Sequence, residues 1–299
     1  MADYHIHLIE GVQKAIDAAP RVTITRNKFG YEVDLGHRIA KYKRTTTLLK
    51  GIPMPALVGW GINQVANYAV DNLEALGKLP KKSALKLLKG SPYDHRDDRA
   101  LRGTHVHNAI DDMSKGMEMP EDLTDDERCC VEGVQYLMAN RNSKILASEV
   151  IGFNDELNYA GTFDHWEIDR ATGTTWLLDW KTSKAIYPDN GIQMVAYQNF
   201  THIILNTKKV KTESEGSEVF TGRLIPWLPE YAQRLGVVHV EPHGATIYPV
   251  QSEHHDYLYE TYRSACGIKN YMSAVDTWKK KPKIKIFEST ISYGGKIND

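Results

Sequence analysis

The 299 residues carry 37 Lys and Arg against 38 Asp and Glu, a formal net charge of -1, which argues against a basic protein that coats nucleic acid non-specifically. A hydrophobic fraction of 41% with 25% charged residues suits a folded chain with one large domain or two small ones. Three cysteines, two of them adjacent, exclude a disulfide framework and any four-cysteine zinc or iron–sulfur site, so a reducing, cytoplasmic setting is expected.

In chain order, residues 21–25 and 30–36 read as short strands separated by turns. The pattern turns helical from Thr45, breaks at Pro53 and Pro55, and resumes over 56–76 with Leu57, Trp60, Val65, Tyr68 and Leu73 at helical spacing. Residues 81–89 read as a short basic helix closed by Gly90, Ser91 and Pro92. Helices are expected at 98–115 and 124–142, the second opened by the capping-box pair Thr124 and Glu127. Three strands follow at 143–153, 159–169 and 174–182, then a helix at 190–205 and an exposed loop at 207–221. A strand pair at 236–240 and 246–250 and a helix at 252–278 close the pattern, ahead of a basic stretch at 279–285. The fold class is therefore α/β: a mixed central sheet with hairpins at its centre, flanked by helices. Residues 1–97 are expected to form an extension, mainly helical after 45, packed on a core at 98–299. No run of about 18 apolar residues suggests a membrane span, and residues 1–11 carry no signal pattern.

The chemistry concentrates in one hairpin, Gly161-Thr-Phe-Asp164 and Leu178-Asp179-Trp-Lys181-Thr182. A symmetric turn centred between Ala171 and Thr172 sets Asp164 directly opposite Asp179, with Cβ atoms about 4.5–5.5 Å apart. Lys181 lies two residues beyond Asp179 and projects from the same face. Opposed carboxylates destabilise a sheet, and a hard divalent cation is the natural compensation. A surface ion cluster is the alternative. Apolar Phe163, Ile168, Leu177 and Leu178 argue for burial on both faces, where unpaired charges are costly. Upstream, His107 and Asp111 share a helical face; downstream, Gln193 and Tyr197 do the same. Glu149, on the preceding strand, is either a further carboxylate or a solvent-facing residue.

Taken in order, Gly103-Thr-His-Val-His107, Gly161-Thr-Phe-Asp164, Asp179-Trp-Lys-Thr182 and Gln193-Met-Val-Ala-Tyr197 resemble the RecB-type branch of the PD-(D/E)xK nuclease superfamily. The resemblance covers about a third of the chain. Residues 45–53 and Trp60 more loosely resemble phage-encoded exonucleases. The resemblance implies a restriction-endonuclease-like core and hydrolysis of DNA phosphodiesters. It implies one or two Mg²⁺ or Mn²⁺ ions held by His107, Asp164, Asp179 and the backbone carbonyl of Trp180. Lys181 is implied to activate the attacking water, and Gln193 and Tyr197 to position Lys181 or a phosphate. Three cysteines make this a member without the iron–sulfur cluster of some relatives. The implied activity is an exonuclease of recombination, repair or phage DNA metabolism, with DNA and a single-strand annealing or recombination protein as partners. A structure-specific or restriction-like endonuclease and a catalytically inactive DNA-binding adaptor are the alternatives.

Overall fold

The computed structural model describes residues 16–212, 216–242 and 244–274. The strands near its start alternate as the pleat requires. In β1 (Arg21–Asn27), β2 (Gly30–Asp34) and β3 (Ile39–Arg44), residues Val22, Ile24, Tyr31, Val33, Ala40 and Tyr42 turn inward. The third of these strands was not expected. The turn between β1 and β2 is held by Asn27, whose Oδ1 accepts from the Phe29 and Gly30 amides at 2.8 and 3.1 Å.

The remaining strands are β4 (Ser143–Asn154), β5 (Tyr159–Asp169), β6 (Thr175–Lys181), β7 (His202–Thr212), β8 (Glu218–Pro226), β9 (Arg234–Glu241) and β10 (Gly244–Val250). All ten belong to one mixed sheet, and its pairings close on themselves. From β5 the ring runs through β3, β2, β1, β8, β7 and β4 and returns to β5, with β3–β5 the one parallel pairing in it. Each of the seven strands contributes to the interior: Ile24, Val33, Tyr42, Phe153, Ala160 and Ile204 are buried together, and Leu224 packs against them. This is a small closed barrel filled by side chains. An arm of β6, β9 and β10 leaves the ring at β5.

Helices cover both faces of that arm. The helices are α1 (Thr45–Leu49), α2 (Pro55–Asp71), α3 (Leu73–Gly77), α4 (Lys81–Ser114), α5 (Asp125–Ala139), α6 (Pro188–Gln198) and α7 (His255–Ala274). Leu178, Trp180 and Val238 face Val106 on α4 and Val131 on α5, while Leu177, Leu235 and Val237 join the core beneath α6 and α7. Apolar residues on both sides of each strand follow from burial on both faces. Thr124 and Glu127 form the expected capping box at the start of α5.

Several sequence expectations are corrected. The break at Gly90–Pro92 does not occur: α4 runs through Pro92 for 34 residues. Pro92 cannot donate to the Leu88 carbonyl, and the Ser91 hydroxyl donates to that oxygen at 3.1 Å instead. The expected domain boundary at 97 falls inside this helix, and β1–β3 belong to the common sheet. The helix expected at 190–205 stops at Gln198, because His202–Thr212 pairs with β8 and β4. Within 207–221, expected as a loop, residues 207–212 belong to the end of β7 and 218–221 to the start of β8. The helix over 56–76 is two helices, and no described side chain of α2 is buried despite its apolar spacing. Residues 279–285 and the end of the last expected helix lie outside the described residues. Cys130 and Cys266 sit in different core clusters. Among the described residues no helix is long and apolar enough to cross a membrane.

Candidate metal centre at the fork of the sheet

The site lies where the sheet divides. One edge of β5 pairs with β4 along its length. The other edge pairs with β3 at Tyr159 and Ala160 and with β6 from His165 to Ile168. Residues 161–164 span the gap, and Asp164 is the last of them. The β5–β6 register is the one expected from the turn, with His165 opposite Leu178 and Ile168 opposite Thr175. The ladder ends one step short of Asp164 and Asp179. There β6 is held by β9 on its other edge, and the Trp180 amide donates to Asp164 Oδ2 at 2.6 Å. Trp180 thus meets the cluster through its N–H.

Across the other edge, Ser148 pairs with His165 and Val150 with Phe163, leaving Glu149 level with Asp164 and unbridged. Glu149 has φ 49, a left-handed backbone that costs a side-chain-bearing residue on the order of 1 kcal/mol. The helix α4 supplies the third group. Val106 and Ile110 anchor it to the arm, and Gly103 lets it approach closely: a Cβ there would lie 3.1 Å from Thr182 Oγ1. His107 Nδ1 then stands 3.4 Å from Asp164 Oδ2. One ligand atom from each of His107, Glu149 and Asp164 lies within 4.8 Å of the others.

Buried Asp179 and half-buried Lys181 form an ion pair beside this cluster. Gln193 Nε2 donates to the Tyr197 hydroxyl at 2.5 Å on α6, and both side chains are buried. Gly161 admits the Tyr197 ring, since a Cβ at that position would lie 2.7 Å from it and 2.9 Å from Thr45 Oγ1. Gly161→Ala is therefore expected to cost about 1–3 kcal/mol of stability, read from urea melts, as overpacking displaces Tyr197. Asp111 shares a helical face with His107 but is engaged by Ser148 Oγ at 2.6 Å and by Lys115. His105 points elsewhere, 3.2 Å from the capping carboxylate of Glu127.

The electrostatics reflect crowded acids. Burial and the Asp164 charge raise the Glu149 pKa to about 8. Burial raises Asp179 to about 6 against the pull of Lys181. Burial alone would lower His107, but Asp164, with Asp179 behind it, raises it to about 9. Asp164 is held below its ordinary value despite burial, chiefly by His107 and Lys181. Burial and the Asp179 charge keep Tyr197 a phenol. Protons on Glu149 and His107 thus offset charge that a cation would also offset. One imidazole and two carboxylates are donors of the kind that bind divalent cations.

Of the residues singled out in sequence, His107, Glu149 and Asp164 converge as one group, Asp179 and Lys181 as its neighbours, and Gln193 and Tyr197 behind them. Sequence reasoning missed Arg26. Its guanidinium acts on Glu149 electrostatically, and it arrives through the β1–β8 pairing, a long-range contact with no local signature. No family model matches the chain, and no curated protein matches it.

Proposed function

We propose that the chain is a divalent-metal-dependent DNA exonuclease, with a restriction-endonuclease-like core made of the sheet arm, β5 and α4–α6. The observation that carries this reading is the convergence of His107, Glu149 and Asp164 beside the Lys181–Asp179 ion pair. His107, Glu149 and Asp164, with Asp179 and the Trp180 carbonyl as further oxygens, would hold Mg²⁺ or Mn²⁺, which supplies Lewis acidity and charge neutralisation at a phosphate. The chain's own groups do the rest. Lys181, fixed by Asp179, keeps positive charge beside the phosphate as negative charge builds on it. Asp179 holds Lys181 in place, and its negative charge favours the protonated lysine. Tyr197 receives a hydrogen bond from Gln193, so its own O–H is oriented to donate to a phosphate oxygen.

The test uses end-labelled linear DNA and covalently closed circular DNA. Linear DNA is expected to be digested with Mn²⁺ at least as fast as with Mg²⁺, because an imidazole nitrogen joins the oxygen donors. EDTA is expected to stop the reaction, and Lys181→Ala to slow it by about 10²–10³-fold. Rapid cutting of the circle would replace the exonuclease by an endonuclease. Linear DNA left intact with both metals would overturn the nuclease reading.

A further inference from the structure

The strand directions bring one end of the barrel to the metal cluster. Glu149 of β4 and Asp164 of β5 lie at this rim, together with the ends of β1 and β3 and the starts of β2 and β8. β4 and β7 part there: their pairing stops at Ile151 and Ile204, and beyond it both Glu149 and Asn206 adopt left-handed backbone. The rim is basic. Arg26, Lys28, Arg44 and Lys209 stand at this end of the strands, with Glu218 among them.

Two cations share one acid at the edge of the cluster. Arg26 and Lys209 both reach Glu218, each at 2.6 Å, so this trio retains one positive charge. The Arg26 guanidinium also lies 5.0 Å from the Phe220 ring centroid. Beside it, Arg44 donates twice to the Asn27 carbonyl, at 3.1 and 2.7 Å, and so braces the β1–β2 turn. That braced turn presents Phe29, 77% exposed, with Lys28 Nζ 5.2 Å from its ring centroid. A large aromatic ring at a stiffened turn, among cations, is a stacking platform for an unpaired base. A duplex hides its base faces and could use only the charges.

We infer that this rim binds single-stranded DNA, with a base stacked on Phe29 and phosphates beside Arg26 and Lys209, so that the strand passes over Glu149 into the metal cluster. The inference rests on the nuclease reading and adds the route of the strand to it.

The probes are a fluorescein-labelled oligo-dT and a hairpin duplex with the same number of phosphates, titrated with the full chain in EDTA and followed by anisotropy. Phe29→Ala is expected to weaken oligo-dT binding about tenfold, the size of one lost base stack, and to leave duplex binding unchanged. Phe29→Trp is expected to restore it. Lys209→Ala is expected to reduce the slope of log affinity against log salt by about 0.7. The exposure of Phe29 and Lys209 keeps folding out of the comparison. If both variants bind oligo-dT as the parent does while the parent digests DNA, the rim is not the track and the nuclease reading stands. Equal loss on the duplex would overturn the single-strand assignment. A parent chain that neither binds nor digests DNA would remove both readings.

Discussion

Glu149→Gln is expected to weaken Mn²⁺ binding by more than about 100-fold, a larger loss than removal of a supporting group usually causes. Cleavage should fall at least as far. Asp179→Asn should instead slow cleavage by about 10²–10³-fold while Mn²⁺ affinity changes by about tenfold or less. The contrast follows from geometry. Glu149 shares one small volume with His107 and Asp164, whereas the Asp179 carboxylate is committed to Lys181. Gln keeps the size of Glu149 and leaves the backbone strain in place, so the variant isolates the charge. Glu149→Gly separates the two further. It removes the carboxylate and also relieves the left-handed conformation at φ 49, so it should raise stability by about 1 kcal/mol while abolishing cleavage. Isothermal titration with Mn²⁺, thermal melts and end-labelled digestion read the three variants. Equal loss of Mn²⁺ affinity in Asp179→Asn and Glu149→Gln would return Asp179 to the ligand set as a full member.

What the sequence made legible was local. The β5–β6 register follows from a turn whose residues carry their own instructions. Asp169 Oδ1 accepts from the Ala171 and Thr172 amides, and Gly173 takes φ 69. The α5 cap is likewise written in Thr124 and Glu127. The helical spacing that joined His107 to Asp111, and Gln193 to Tyr197, also survives in three dimensions. What escaped was every feature set by distant pairing. Ile203, Ile204 and Leu205 suit a helix or a strand equally well, and β8 decides for the strand. The closed barrel depends on β1–β8 and β3–β5 contacts that no local pattern announces. Glu149 illustrates the limit most clearly: its position level with Asp164 depends on the irregularity between Ile145 and Ala147, which shifts the β4 register by one residue.

Without a divalent cation, the melting temperature should fall by at least about 5 °C as pH rises from 5 to 9, and saturating Mn²⁺ should oppose that fall. Three groups act in the same direction. Glu149 ionises near 8 in the folded chain against 4.5 ordinarily, so between those values the folded state keeps a proton that the unfolded state has lost. Asp179 does the same between 3.8 and about 6. His107, raised from 6.5 to about 9, contributes stability that is complete below 6.5 and lost as pH rises through 9. Asp164 has the opposite sign, since its pKa is depressed, but its contribution is lost only as pH falls below the ordinary carboxylate value of 3.8, outside this window. A cation competes with the protons on Glu149 and His107 and binds only the folded arrangement. Its stabilisation should therefore grow with pH, reaching about 2.7 kcal/mol once its concentration is 100 times its dissociation constant. Melts in EDTA and in Mn²⁺ at half-unit pH steps give the two curves, and Glu149→Gln should flatten both. A melting temperature independent of pH in EDTA, together with a Mn²⁺ shift independent of pH, would mean that protons and cations do not compete for this cluster. The crowding of His107, Glu149 and Asp164 would then be a feature of packing at the fork of the sheet rather than a site prepared for a metal.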